Sequence, residues 1–135
     1  MIRARMLTSG TAEGPVLPLG EPLSFWGAFE PRTGEIIDVH HPQRGQCVKD
    51  TVLVMTETRG SGSAPGAIAE AIRLGTAPAA IILAEADINL AVGAEVAATL
   101  YGRSCVIACV TAQELESLRA AKRIAIRADG VVRAE

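Results

Sequence analysis

Aromatic side chains are nearly absent from this chain: one Trp, one Tyr and two Phe in 135 residues. Its core must therefore be assembled from Ala, Ile, Leu and Val. Apolar residues make up 49% of the sequence, which places it among globular rather than disordered chains. Clustered positive charge is lacking too. Thirteen Lys and Arg stand against fifteen Asp and Glu, a net charge of −2, and no basic run stands out, so no nucleic-acid partner is expected. No long hydrophobic run is present either. The longest, residues 77–84, is far short of the roughly 20 residues a membrane-spanning helix needs. Arg3 and Arg5 are not followed by the apolar stretch of a secretory signal. The expectation is a cytoplasmic protein with no membrane segment. Three cysteines in a reducing compartment argue against a disulfide framework, and their spacing suits no iron–sulfur cluster. At this length one domain over residues 1–135 is expected, large enough to bury roughly two-thirds of its unfolded surface.

What is present falls into two textures. Residues 1–50 are rich in Gly and Pro, with short apolar pieces at 6–7, 16–19, 23–26 and 36–39, the pattern of short strands and turns. Pro31-Arg32-Thr33-Gly34 reads as a tight turn between two of them. From residue 51 the pattern alternates. Residues 51–55 form a β-branched run. Ala64–Leu74 has Ile68 and Ile72 one turn apart, Pro65 in its first turn and Gly75 as terminator, and so predicts a helix. Residues 79–84 read as a strand covered on both faces. Ile88–Tyr101 predicts a second helix, capped by Asp87 and stopped by Gly102. Residues 105–110 form a third strand, and Thr111-Ala112-Gln113-Glu114 is a capping box opening a short helix. Residues 122–128 and 131–133 flank Asp129-Gly130, a hairpin signal. Strand–helix–strand–helix–strand implies a parallel sheet with right-handed crossovers. In open sheets of that kind ligands gather beyond the carboxyl ends of the strands. Two segments fall there: Arg59-Gly60-Ser61-Gly62-Ser63 and Glu85-Ala86-Asp87.

The first of these joins a strand to a helix, where backbone N–H groups and the helix's positive end face whatever docks. An arginine and two hydroxyls there suit a carboxylate or phosphate. Ser63 serving only as helix cap is the plainer alternative, and a cap needs no further reason. The turn is neither a phosphate-binding P-loop nor a nucleophile elbow. His40 and His41, adjacent in an extended segment, point to opposite faces and do not readily share one metal ion, so a turn or interface role is expected of them. Cys105 and Cys109 share an apolar strand face and are expected to be buried, inert thiols, while Cys47 stands alone in a loop. Phe25 and Trp26 read as an anchor in the core or at a subunit contact, with the contact favoured.

Several of these segments, in order, resemble the aconitase X small-subunit family. They are Pro22-Leu23-Ser24-Phe25-Trp26-Gly27, Thr33-Gly34-Glu35-Ile36-Ile37-Asp38 and His41-Pro42, then Arg59-Gly60-Ser61, Ala69-Glu70-Ala71-Ile72-Arg73, Ala77-Pro78-Ala79-Ala80-Ile81-Ile82 and Leu100-Tyr101-Gly102. The likeness runs from residue 21 to residue 109. It implies an α/β fold of the swivelling β/β/α type, a parallel sheet core with an added antiparallel layer. It also implies a hydro-lyase (dehydratase) active only beside a large subunit, which holds an iron–sulfur cluster, with no metal ligand on this chain. The substrate would be cis-3-hydroxy-L-proline or mevalonate 5-phosphate, and the first helix and residues 81–85 look more like the hydroxyproline branch. By the resemblance Ser61 is the catalytic base, with Arg59, Gly60 and Ser63 binding substrate. Gly62 departs from the serine-rich run usual in the family. A non-catalytic anion-binding module using the same helix terminus is the rival from another class.

Overall fold

The structure is a computed structural model that describes residues 2–25, 27–58 and 64–135. Ten strands and three helices appear among them. In chain order they are β1 (Ile2–Arg3), β2 (Arg5–Met6), β3 (Ala12–Pro18), β4 (Phe29–Glu30), β5 (Glu35–Ile36), β6 (Val52–Val54), α1 (Ala64–Leu74), β7 (Ala80–Leu83), α2 (Ile88–Tyr101), β8 (Val106–Cys109), α3 (Ala112–Arg119), β9 (Arg123–Ile126) and β10 (Val131–Ala134).

Eight strands join in the order β1-β10-β9-β3-β6-β7-β8-β2. β3, β6, β7 and β8 run parallel, and antiparallel strands flank them on both sides. The two outermost strands are consecutive in sequence, separated by Ala4 alone. One extended N-terminal segment therefore pairs with both edges, β1 with β10 and β2 with β8. This corrects the expectation of an open sheet: the edges are satisfied by the same chain, so neither is left as a free template. β3 makes the ring possible by changing partner along its length. Residues 12–15 pair with β9, and residues 16–18 with β6. Gly14 sits where β3 crosses Asp50; a Cβ there would lie 2.5 Å from the Asp50 carbonyl oxygen. Glycine is required by that close approach.

Alternate residues of the parallel strands feed two cores, as a period of two demands. Leu53, Ile81, Leu83 and Ile107 pack with Ile68 and Ile72 of α1, Leu90 and Ala94 of α2, and Phe25, Phe29 and Ile36 beside the β4–β5 hairpin. Val54, Ile82, Val106 and Ala108 pack with Ile124, Ile126 and Val132 of the antiparallel strands and with Leu115 and Leu118 of α3. The outcome is a helical layer on one face and an antiparallel layer on the other. Phe25 is buried and meets Phe29 edge-on at 5.5 Å. It is thus a core residue and not the subunit contact expected of it, while Trp26 lies outside the described residues. His41 is also buried. Its Nδ1 accepts from the Gln43 backbone N–H at 3.0 Å, which leaves Nε2–H to donate to the Glu21 carbonyl at 3.0 Å. Both ring nitrogens are occupied in fixing a loop; His40 is exposed.

Candidate functional site

β6, β7 and β8 end at one edge of the sheet, and α1 and α2 begin there. The segment carrying Arg59, Gly60, Ser61 and Ser63 lies outside the described residues, but its two ends are described. At the entry, Thr58 bridges to Leu23, and its hydroxyl donates a hydrogen bond to Asp87 Oδ2. Asp87 Oδ1 in turn accepts from the Leu90 backbone N–H at 3.0 Å, the N-cap of α2. One carboxylate thereby ties the end of the β6 segment to the start of the second helix. At the exit, Pro65 on the first turn of α1 lies against Gly93 of α2. A Cβ at Gly93 would come within 2.7 Å of the Pro65 carbonyl oxygen and 2.8 Å of its Cα. Only glycine lets the two helices approach so closely there, and that approach sets where α1 starts.

A cavity of about 310 Å³ opens at this edge, lined among others by Glu57, Thr58, Glu85, Asp87, Ile88 and Asn89. Val54 pairs with Ile82 across β6 and β7, so Glu57 and Glu85 leave the two strands in the same register. Their side chains share a hydrogen bond, which, with the negative charge of Glu57, holds the Glu85 carboxyl above the usual carboxylate range. Of the two acids only Glu85 is placed at a strand end by the sequence; their equal offset from the ends of neighbouring parallel strands is the signal that finds the pair. A carboxyl so raised stabilises the fold while protonated and loses that contribution as pH rises through its folded-state value. Glu85→Gln should therefore raise the thermal midpoint at about pH 8 and give no gain at about pH 4, near the unfolded carboxylate value. A gain of equal size at both pH values would show that the carboxyl pair is not its source.

A second, apolar groove of about 490 Å³ runs between the β4–β5 hairpin and α1, over Phe25, Phe29, Ile37 and Ala67. A third cavity, about 520 Å³, lies at the opposite edge beside Lys49, Asp50, Gly75 and Arg103. There α1 ends, and Arg103 Nη1 donates to the Arg73 carbonyl. A helix C-terminus favours cations rather than anions. Of the cysteines, Cys105 is fully buried, with its thiol pushed up to about 12 by desolvation. Cys109 is half-buried rather than buried as expected, and burial raises its pKa as well. Cys47 is exposed, its Sγ donating to the Thr33 carbonyl at 3.4 Å. Among the described residues no group of three or more His, Cys, Asp and Glu is placed to hold a metal ion, so these residues do not fit an iron–sulfur cluster. No helix among them is long and apolar enough to cross a membrane.

A sheet ringed by its own N-terminus, with α1 and α2 on one face and their starts gathered at one edge, is the frame of a swivel-type domain. Residues 1–134 match the aconitase X swivel domain, and the chain belongs to that family. It is 44% identical over 110 residues to a cis-3-hydroxy-L-proline dehydratase of Pseudomonas aeruginosa, a match covering 82% of this chain and 19% of that one. It is 39% identical over 93 residues to a phosphomevalonate dehydratase small subunit of Methanothermobacter thermautotrophicus, covering 69% of this chain and 71% of the other. The crystal structure of Thermococcus kodakaraensis aconitase X in its holo-form superposes with a TM-score of 0.83 at 28% identity, covering 99% of this chain and 97% of that one. The chain spans about a fifth of the length of the first two curated relatives, both cis-3-hydroxy-L-proline dehydratases.

Proposed function

We propose that this chain is the small subunit of an aconitase X-type hydro-lyase that dehydrates cis-3-hydroxy-L-proline in the cytoplasm. On this reading residues 1–135 act as one swivel domain beside a large subunit. Ser61 is the general base that takes the proton next to the substrate carboxylate. Arg59 pairs with that carboxylate, and Gly60 and Ser63 line its seat. Ionising a serine requires nearby positive charge, which Arg59 and the N-terminal end of α1 supply in a site closed to water. The iron–sulfur cluster is assigned to the large subunit, and loss of the hydroxyl belongs to that side of the site. Elimination of water leaves a carbon–carbon double bond, and the resulting enamine tautomerises, its N–H proton moving to carbon, to a cyclic imine.

The observation carrying the choice of substrate is the acidic edge. The residues named along the strand-end cavity are acidic, neutral polar or apolar, with Glu57, Glu85 and Asp87 among them. That field suits a substrate bearing an ammonium group and opposes a phosphomonoester. The Pseudomonas relative, the most identical of the three compared, points the same way. A second reading, phosphomevalonate dehydratase, is supported by a small subunit of Thermococcus onnurineus that matches at 32% identity over 99% of this chain and 98% of its own length. The experiment is co-purification with the large subunit and assay of both compounds. Dehydration of cis-3-hydroxy-L-proline, with mevalonate 5-phosphate at least about 100-fold poorer in kcat/KM, is expected. The reverse preference would replace the first reading by the second, and turnover of neither would leave the anion-binding module.

A further inference from the structure

α2 is apolar on both sides. Its inner face, Leu90, Ala91, Gly93, Ala94 and Ala97, is buried. Its outer face carries Ile88, Val92, Val96 and Leu100, one turn apart each time and 58%, 53%, 48% and 66% exposed. A helix that is hydrophobic all round belongs inside a larger structure. α3 offers the contrast. It buries Leu115 and Leu118 but turns Gln113, Glu116 and Ser117 to the surface, with Arg119 paired to Glu116 at 3.0 Å. One face of the molecule is thus finished for water, and the helical one is not.

We infer that the Ile88–Val92–Val96–Leu100 stripe of α2 is the surface on which the large aconitase X-type subunit sits; this rests on the reading of the chain as a small subunit. Three observations select that occupant. The stripe is about 18 Å long and one helix wide, on the order of 200 Å². A specific complex needs about 800 Å² per partner, so a second copy packed stripe to stripe falls well short. The occupant must extend beyond the stripe, and Ile88 shows in which direction, because it also lines the strand-end cavity. A large chain covering both reaches the required area and roofs the cavity in the same movement, excluding water from the site. In the Pseudomonas aeruginosa and Hypocrea jecorina relatives the matching segment is about a fifth of one polypeptide, so four times as much chain is tethered to it.

The test is binding of the native chain and of the Val92→Lys/Val96→Lys variant to the co-expressed large subunit from the same organism, read by titration without substrate. Both positions are solvent-facing, so an unchanged thermal midpoint is expected for the variant. The large subunit should bind the native chain and bind the variant at least about tenfold more weakly. Glu116→Lys on α3 should bind within about twofold of the native chain, since a rim or remote charge contributes little. Equal affinity of native chain and variant overturns the inference, as does failure of the native chain to bind. Self-association of the native chain that the variant abolishes, with large-subunit binding unaltered, assigns the stripe to a second copy and overturns it too. The readout separates this surface from the proposed activity. A complex that forms through the stripe but dehydrates neither compound removes the activity and keeps the surface. An active complex indifferent to the substitutions does the reverse.

Discussion

Replacing Ser61 by Ala is expected to leave the two-subunit complex intact and to lower kcat at least about 10³-fold, with KM changed only a few-fold. The size follows from the role. A positioned general base contributes about 10²–10⁴-fold, and a serine has no partner on this chain that could take its place in the reading proposed. In the reading proposed the split between kcat and KM follows because the hydroxyl acts on the proton in flight, whereas Arg59 would both hold the carboxylate and stabilise the ionised serine. Arg59→Gln should show the complementary pattern, with KM rising along with the fall in kcat. Steady-state kinetics on the reconstituted complex, with complex formation checked by gel filtration, decides the matter. Turnover of Ser61→Ala within about tenfold of the native enzyme would remove this residue as the base. The family membership, which rests on residues 1–134 as a whole, would stand.

Gly93→Val is expected to be strongly destabilising. In an isolated helix, replacing glycine by valine gains about a few tenths of a kcal/mol. Here the first added carbon alone would meet the Pro65 carbonyl oxygen at 2.7 Å, its Cα at 2.8 Å and Ile68 Cγ2 at 3.0 Å. Two of those three atoms are backbone, so a rotamer change cannot relieve the clash; α1 must move. Overpacking of this kind costs about 1–3 kcal/mol, and valine's two methyl groups put the change at the upper end. For a domain of this size that is a fall in thermal midpoint of about 10 °C. Circular-dichroism melts of the isolated chain measure it. Gly93→Ala should fall between the native protein and the valine variant, because alanine brings the clash without the branch. Since Pro65 is the residue displaced and Ser63 lies two positions before it, kcat of the complex should fall further than the loss of folded protein accounts for. A midpoint equal to that of the native protein would show that the helices separate at no cost.

Much of the helical layer was legible in the sequence because its signals are local. The limits Ala64–Leu74 and Ile88–Tyr101 are those the sequence predicts, with Asp87 accepting from Leu90 at the start of the second and Gly75 and Gly102 in the left-handed conformation after the two ends, at φ 79° and 67°. The Thr111–Glu114 capping box forms in both directions. Strands were found but overrun: residues 51–55 narrow to Val52–Val54, and 105–110 to Val106–Cys109. Apolar character continues past the last ladder hydrogen bond, so composition cannot mark where pairing stops. β3 was largely missed. Gly14, Pro15 and Pro18 punctuate it like a loop, and only its pairing with two different strands makes it one element.

The candidate site divides in the same way. Its address, beyond the ends of the parallel strands and at the start of α1, came from chain order alone, because a helix that follows a parallel strand begins at that strand's carboxyl end. The chemistry assigned to Arg59 and Ser61 came from a family likeness written in short contiguous motifs. What stayed hidden needed partners far apart in sequence. Glu57 and Glu85 share a hydrogen bond only because Val54 and Ile82 are in register. Thr58 is held by Asp87, 29 residues on. The sequence by itself thus determined the order of the elements, the helix limits and the motif; the closure of the sheet through residues 2–6, the paired carboxyls and the bare outer face of α2 were decided by tertiary structure. Caps and periodicities act within one or two turns of chain, whereas register, ring closure and exposure depend on which distant segments the folded chain places side by side.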